Sequence, residues 1–267
     1  MSNLVYAAAT SLSNSKPMDK YVQYTNSLMG RDKLFRFGQY LARLLVYLLG
    51  RRTASHGKSS SLVEWLETFR KVQTTLTTTR KVMRTGKFVD FARQSVKALT
   101  ERGVDEVGRL LSAVHKAGMC IFMAADTLGV LGNTLGLVRL RNAQSVTRWG
   151  QRAWVAALVA QAAGAAYKLH NVGLRQADLQ RVRKHVEKTD RLGSRECAVE
   201  EQMLAQQRVA ANKQLVQGVL DLAIPVKNLG LVDLNEGMVA LAGTVTSVMG
   251  MRDAMSKASA GAAAKAK

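Results

Sequence analysis

An almost uncharged stretch near the middle of the chain limits the structures that this sequence can form. Ala117 to Val138 holds 22 residues and one charge, Asp126, and about 20 mostly apolar residues suffice for a helix that crosses a bilayer. A charge in mid-span costs about 3 kcal/mol, which favours burial against protein or a shallow re-entrant segment. Two shorter charge-poor runs lie at 153–167 and 238–251, and a buried soluble helix is an alternative for the first of them. We therefore expect one to three short membrane-embedded hydrophobic helices.

The charge balance of the chain indicates an anionic partner. Lys and Arg number 39 against 19 Asp and Glu, which gives a formal charge of +20, so nucleic acid, an anionic membrane or an acidic protein would be attracted. The cations are spread along the whole chain and are not interleaved with aromatic residues that could stack on bases. We therefore predict an anionic phospholipid membrane as partner and no nucleic acid. Cys120 and Cys197 are too few for a disulfide framework, which indicates a reducing compartment.

The spacing of apolar residues predicts an all-α fold, membrane-associated and containing amphipathic helices. Leucine and phenylalanine recur every three or four residues within 19–52, which predicts one or two helices there. The polar residues at 51–61 predict a loop, and 62–100 predicts a second helical block. Within the charged segment 171–213 a helix is expected to break at Gly193 and Ser194.

Composition divides the chain into six expected segments. These are a flexible N-terminus (1–18), an amphipathic basic helical region (19–115), a hydrophobic hairpin-like region (116–170), a charged helical connector (171–213), a C-terminal hydrophobic segment (214–252) and a basic low-complexity tail (253–267).

A basic amphipathic helix at 69–87 is the candidate for direct contact with lipid. No acidic residue lies between Glu67 and Asp90, and a helix of this kind can bury an apolar stripe in the acyl boundary while its cations meet anionic head groups. The candidate lipid-binding residues are Arg70, Lys71, Arg80, Lys81, Arg84 and Lys87, and the candidate membrane wedge is Phe69, Val72, Leu76 and Met83. An ordinary helix that packs on a neighbour and keeps its basic side in water is an equally good interpretation of the pattern.

The sequence offers no constellation for catalysis, a metal or a cofactor. The four histidines, His56, His115, His170 and His185, do not have the spacing of metal ligands. Phosphate-binding loops, dinucleotide-binding fingerprints, nucleophile elbows and Cys-x-x-Cys pairs are absent from the sequence. We therefore predict that the protein is not an enzyme, with no catalytic residue, no metal and no cofactor.

Three groups of residues resemble the peroxin eleven family of peroxisomal membrane proteins. The first runs from Gly30 to Leu45 and holds Arg31, Asp32, Lys33, Leu34, Arg36, Gln39, Tyr40, Arg43 and Leu44. The second is the basic block of Arg80, Lys81, Arg84, Gly86 and Lys87. The third is a closing segment that includes Asp221 to Pro225, Leu229 to Leu231, Gly237 to Gly243 and Ser247. Asp126 and Trp149 also stand where the family has an acidic residue and an aromatic one, so the resemblance covers about residues 20–252.

The resemblance implies a protein of the peroxisomal membrane, or of the glycosomal membrane in a cell with glycosomes. It implies that the protein elongates and tubulates this membrane before fission, with a basic amphipathic helix inserted in one leaflet, here 69–87. It also implies self-association into a homo-oligomer and contact with a fission adaptor and a dynamin-like GTPase. A small-metabolite channel of the same membrane is the alternative, because an intramembrane charge such as Asp126 often marks a pathway.

Overall fold

A computed structural model describes residues 15–56, 60–101, 105–138, 142–186 and 191–265. Within these ranges the chain forms helices and short connections and contains no strand. The predicted all-α fold is therefore confirmed.

Eight α-helices and one short π-helix make up the described residues. They are α1 (Lys16–Asn26), α2 (Leu28–His56), α3 (Ser60–Met83), α4 (Lys87–Thr100), α5 (Glu106–Gly129), the π-helix Val130–Thr134, α6 (Ala143–Val186), α7 (Arg191–Asn228) and α8 (Glu236–Lys265). Two helices thus cover the region 19–52, as the apolar spacing predicts.

The loop predicted at 51–61 is wrong at its two ends, its residues 57–59 lie outside the described part of the chain, and the break predicted at Gly193 and Ser194 is wrong. In place of a loop from Arg51, α2 continues to His56 and α3 starts at Ser60. The Thr53 hydroxyl donates a hydrogen bond to the Leu49 carbonyl oxygen at 2.8 Å, so this polar residue is accommodated in the helix. No break occurs at Gly193–Ser194 either, since α7 is continuous from Arg191. One glycine costs a helix only about 1 kcal/mol, which good helix formers on both sides can offset.

A break that the sequence analysis did not predict divides the 62–100 block at Gly86. This glycine has a φ of +81°, a left-handed backbone conformation that residues with a Cβ atom rarely adopt. It separates α3 from α4, so the candidate lipid-binding segment 69–87 is not one helix.

The described helices form two compact units. Unit 1 takes the described residues up to Arg84 together with those from Leu234 onwards, and unit 2 is Thr85–Asp233. In unit 1, α2 packs against α1, α3 and α8. In unit 2, α5 packs between α4 and α6, and α6 also packs against α7.

Large side chains of α2 fit against glycines of α8 in unit 1. A Cβ atom added at Gly243 would clash with the Tyr40 ring, and one added at Gly237 would clash with the Tyr47 ring. Because Tyr40 precedes Tyr47 while Gly243 follows Gly237, the two helices are antiparallel. The contact is fixed at two further points, where Arg43 pairs with Glu236 at 2.7 Å and Arg36 donates to the Thr246 hydroxyl at 3.0 Å.

Small and aromatic residues join α5 to α6 in unit 2. Gly118 lies against Ala153 and Ala157, where an added Cβ atom would stand 2.8 Å from the Ala153 carbonyl oxygen. Farther along, the rings of Phe122 and Trp154 stack with centroids 4.6 Å apart. Helices of this composition approach closely without long polar side chains between them.

One helical segment of the described residues, Glu106–Gly132, is long and apolar enough to cross a membrane, judged by length and composition. It contains most of the predicted run 117–138. The runs 153–167 and 238–251 lie inside α6 and α8, which do not meet that criterion.

The six expected segments stay a prediction, because they describe membrane topology and mobility and not contacts between helices. Of the expected flexible N-terminus, residues 1–14 lie outside the described part of the chain, and α1 begins at Lys16.

Candidate membrane-interaction site

The six predicted lipid-binding cations occupy different environments. Arg70 and Lys71 are exposed on α3, while Lys81 and Arg84 are half-buried. Arg80 is buried. Lys87 belongs to unit 2, where it is the first residue of α4. The structure therefore leaves Arg70 and Lys71 as the pair most open to solvent.

Arg80 takes part in a buried polar cluster between α2 and α3. Its Nε lies 3.1 Å from Asp32 Oδ1, and its Nη1 donates to Gln39 Oε1 at 2.5 Å. Arg84 approaches the same Asp32 oxygen at 3.9 Å and donates to the Arg80 carbonyl oxygen at 3.1 Å. The side chains of Arg80 and Asp32 are only 8% and 11% exposed. These contacts orient Arg80 towards α2 and away from solvent.

The electrostatics of this cluster keep both partners charged at neutral pH. Burial by itself would raise the pKa of Asp32, but the guanidinium groups of Arg80 and Arg84 outweigh it and hold this pKa below its ordinary value. Burial, with repulsion from Arg84, lowers the pKa of Arg80 to about 10. An ion pair of this kind fixes the register of two helices, and removing one partner leaves an uncompensated buried charge.

The predicted wedge residues lie partly against α2. A Cβ atom added at Gly38 of α2 would stand 3.0 Å from the Leu76 side chain. Helical periodicity places Phe69 and Met83 on the same side of α3 as Leu76, and both are half-buried. Val72 is the exposed member of the set. The apolar side of α3 is thus partly covered by α2, at Leu76.

Trp65 and Phe69 form a partly exposed aromatic surface on the N-terminal half of α3. The ring of Trp65 is stacked on that of Phe69 with centroids 5.8 Å apart, and Trp65 remains 57% exposed. Tryptophan is enriched at the membrane–water interface, where its amphipathic ring lies at the level of the head groups. The sequence analysis did not include Trp65 in the wedge, although it lies four residues before Phe69.

The sequence analysis also missed an apolar surface on unit 2. Val96 and Leu99 of α4 and Leu110 and Ile121 of α5 are all more than half exposed. Val96 and Leu99 are three residues apart, and Leu110 and Ile121 are about three helical turns apart. Both spacings place the pair on one side of a helix and could be read from the sequence. All four residues lie outside 69–87, the segment that the run of basic residues marks.

The histidines have ordinary packing or solvent environments where the structure describes them. Nδ1 of His115 lies 2.9 Å from the Ala157 carbonyl oxygen and so contributes to the contact of α5 with α6, and His170 is exposed. The side chains of His56 and His185 lie outside the described residues. Among the side chains that the structure describes, no three His, Cys, Asp or Glu residues come together in a way that could hold a metal ion.

Comparison with known proteins gives the family. A sequence model of peroxisomal biogenesis factor 11 (PEX11) matches residues 18–255, which is most of the chain. The chain belongs to the PEX11 family. The resemblance of its three residue groups to the peroxin eleven family is thereby confirmed.

Curated relatives of the PEX11 family match over nearly their full length. Peroxisomal membrane protein PMP30A of Candida boidinii is 26% identical over 252 residues, which covers 88% of this chain and 92% of that protein. Peroxisomal membrane protein 11A of Bos taurus is 26% identical over 247 residues, covering 88% and 95%. Peroxisomal membrane protein PMP27 of Saccharomyces cerevisiae is 26% identical over 239 residues, covering 88% and 92%. No solved structure matches the chain.

Membership of this family gives the location and the general role. The protein is a peroxisomal membrane protein that takes part in peroxisome biogenesis and proliferation. PEX11 is a family of biogenesis factors and is not known as a family of enzymes.

Proposed function

We propose that this PEX11 protein elongates and tubulates the peroxisomal membrane by inserting α3 into one leaflet. The observation that carries the proposal is the exposure of Arg70 and Lys71 on a helix whose other side is apolar. A helix inserted in one leaflet expands the area of that leaflet, which favours curvature. Lys81, Arg84 and Lys87 are the remaining candidates for head-group contact, and Arg80 becomes available once it leaves Asp32.

Insertion requires α3 to leave α2. Leu76 cannot contact the acyl chains while it lies against Gly38, and Arg80 cannot contact a phosphate while it is buried with Asp32. Exposed Arg70 and Lys71 therefore make the first contact with the membrane. Phe69, Val72, Leu76 and Met83 then form the wedge. Membrane binding and the packing of α3 on α2 compete for the same side of the helix.

The first experiment measures binding of the full chain to anionic phospholipid vesicles by flotation. Each cation near an anionic surface contributes about 1 kcal/mol, so Arg70→Gln with Lys71→Gln should weaken binding about 30-fold. Both residues are exposed, so the variant should fold normally. The matched control is Lys168→Gln with Arg175→Gln on α6, which removes two exposed cations from unit 2 and should change binding much less.

Tubulation of the same vesicles tests the wedge itself. Leu76→Glu with Met83→Glu places charges on the apolar side of α3 and should abolish tubulation. Val72→Glu is a milder variant at an exposed position, so its loss of tubulation would not reflect misfolding. Unchanged tubulation by both variants would refute insertion of α3.

Self-association concentrates such wedges and belongs to the same proposal. We infer a homo-oligomer at the membrane, with a fission adaptor and a dynamin-like GTPase as partners that act on the elongated membrane. Crosslinking of the full chain in vesicles, with detergent-dispersed monomer as reference, measures the first part of this inference.

A small-metabolite channel is the second candidate function. It is favoured by the half-buried Asp126 on α5, inside the segment with the length and composition of a membrane span. A steady conductance in planar bilayers that Asp126→Leu removes would support the channel. Bilayers that stay silent at saturating protein would exclude it.

A further inference from the structure

Unit 2 carries an apolar surface on one side of the layer formed by α4, α5 and α6. Its main residues are Val96, Leu99, Leu110, Val114, Ile121 and Trp149, and we call them the α4–α6 apolar face. Each of these side chains is between 42% and 65% exposed. A soluble monomer rarely leaves so many large apolar side chains together in water, which indicates an interaction surface.

Antiparallel packing of the three helices places these residues on the same side of unit 2. The Ser95 hydroxyl donates to the Ala113 carbonyl oxygen and Phe91 lies beside Lys116, so α4 runs antiparallel to α5. Ala157 lies against Gly118 and Gly150 lies against Ala125, so α6 also runs antiparallel to α5. With 100° of rotation per residue, these contacts turn the exposed apolar residues of all three helices towards the same side.

Polar residues lie on the other side and at the edges of this layer. On the same helical geometry, Asp90 and Lys97 of α4 and Ser112 of α5 face away from the α4–α6 apolar face, and all three are exposed. Arg93 lies at the α4 edge. At the α6 edge, the Arg152 guanidinium lies 5.1 Å from the centre of the Trp149 ring. Tryptophan beside arginine at the border of an apolar surface is typical of a membrane–water interface.

The packing of α4 on α5 indicates whether α5 crosses the bilayer or lies in its plane. Because α4 packs along the N-terminal half of α5, a spanning α5 would carry Asp90, Arg93 and Lys97 into the hydrocarbon. Exposed charges at that depth are strongly unfavourable. The same charges are well placed if the helices lie parallel to the membrane, with their apolar residues in the acyl boundary and their polar residues in water.

We propose that unit 2 docks in the plane of the membrane through the α4–α6 apolar face, with α5 lying in one leaflet. The occupant of this face is lipid hydrocarbon, and Arg93 and Arg152 meet anionic head groups at its edges. The inference rests on the peroxisomal membrane location of the protein, and it is independent of the proposed insertion of α3.

Depth measurements on the full chain in phosphatidylcholine–phosphatidylserine vesicles test this proposal. An environment-sensitive fluorophore is attached to single cysteines at Leu110→Cys, Ser112→Cys and Ile121→Cys in a Cys120→Ala, Cys197→Ala chain. Leu110 and Ile121 are about 16 Å apart along α5. In-plane docking predicts that both are quenched equally, and best by a lipid with its quencher near the head group. Ser112 should instead be quenched by aqueous iodide.

Each other pattern overturns the proposal. Stronger quenching of Ile121 than of Leu110 by a quencher at the bilayer centre, with Ser112 shielded from iodide, would mean that α5 spans. Iodide access at both Leu110 and Ile121 would mean that the face stays in water. Shielding of both positions from lipid and aqueous quenchers would mean that a second copy of the chain covers the face.

A pair of matched variants distinguishes membrane binding by the α4–α6 apolar face from membrane binding by α3. Leu110→Glu with Ile121→Glu should reduce flotation with neutral phosphatidylcholine vesicles at high salt by at least tenfold, whereas Ser112→Glu should leave it unchanged. Neutral lipid and high salt remove the electrostatic contribution of Arg70 and Lys71. Unchanged tubulation by the α3 wedge variants, together with reduced flotation of Leu110→Glu with Ile121→Glu, would refute α3 insertion alone. Equal flotation of all three proteins would refute the α4–α6 apolar face alone.

Discussion

The two units of this PEX11 protein differ in the interactions that join their central helices. In unit 1, Arg80 and Asp32 form a buried ion pair between α3 and α2, while the ion pair of Arg43 with Glu236 leaves Glu236 48% exposed. In unit 2, small residues such as Gly118 and Ala157 form the helix contacts, and large apolar residues remain outside. Arg80 is therefore used in the packing of unit 1, whereas the α4–α6 apolar face of unit 2 is open without any rearrangement.

Net charge does not by itself locate the lipid-binding residues of this chain. The same α3 carries exposed Arg70 and buried Arg80, ten residues apart and with the same side-chain chemistry. What separates them is an acidic partner on another helix. A basic amphipathic helix can thus pack within the protein in one state and meet lipid in another.

The largest effect is expected from loss of the buried acid in unit 1. Asp32→Ala leaves Arg80 charged and buried without its partner, which should lower the free energy of unfolding of unit 1 by about 3–5 kcal/mol. Unfolding by denaturant can be followed in detergent by the fluorescence of Trp65 after Trp149→Phe and Trp154→Phe. Asp19→Ala, at an exposed position of α1, is the control and should have little effect. Equal stability of the two variants would show that the ion pair does not hold α3 to α2.

A smaller effect is expected from filling the contact between α2 and α8. Gly243→Ala places a methyl group where the Tyr40 ring lies, so the helices must separate or the ring must move, at a cost of about 1–3 kcal/mol. Gly173→Ala on α6 is the matched control in unit 2. An added Cβ atom meets nothing there, and alanine should stabilise the helix by up to about 1 kcal/mol. If thermal unfolding shifted alike for both variants, close packing at Gly243 would be contradicted.

The smallest effect is expected from acid. The pKa of Asp32 lies below its ordinary value in the folded chain, so its contribution to stability is complete above the ordinary aspartate pKa of about 3.9 and falls as the pH drops through the lower folded-state value. A protonated Asp32 still accepts a hydrogen bond from Arg80, so the loss is smaller than in Asp32→Ala. Trp65 fluorescence against pH should show this acid transition, and Asp32→Asn should flatten it. A wild-type profile that matches Asp32→Asn would contradict the ion pair.

The helices were predictable because their signals are local. Apolar residues at steps of three and four mark α2 in the sequence, the nearly uncharged run from Ala117 marks the C-terminal half of α5, and no proline lies in either helix. The end of α3 depends on Gly86, which has a positive φ. The sequence alone does not distinguish such a glycine from one within a helix, such as Gly193. The sequence therefore predicted the type of the elements better than their ends.

The pairing of Asp32 with Arg80 could not be predicted from helical periodicity. The two residues are 48 positions apart, and no local pattern specifies which helix packs on which. One signal was available, since Asp32 is a single acid within a basic stretch and such a residue often has a buried cationic partner. Two groups of residues that resemble the PEX11 family, around Asp32 and Arg80, prove to be neighbours in unit 1.

Locking α3 onto α2 with a disulfide shows whether α3 must leave α2 before it deforms a membrane. A Cβ atom at Gly50 would stand 3.8 Å from Cδ1 of Leu66, so the two positions face each other across the contact of α2 with α3. Gly50→Cys with Leu66→Cys, in a chain with Cys120→Ala and Cys197→Ala, is therefore the pair to be oxidised, and it changes no wedge residue. The measurement is tubulation of anionic vesicles by the oxidised protein and by the same sample after reduction. Release of α3 predicts that the oxidised protein binds vesicles but forms no tubules, and that reduction restores tubulation. Equal tubulation before and after reduction would contradict the account, because the wedge would then act without leaving α2.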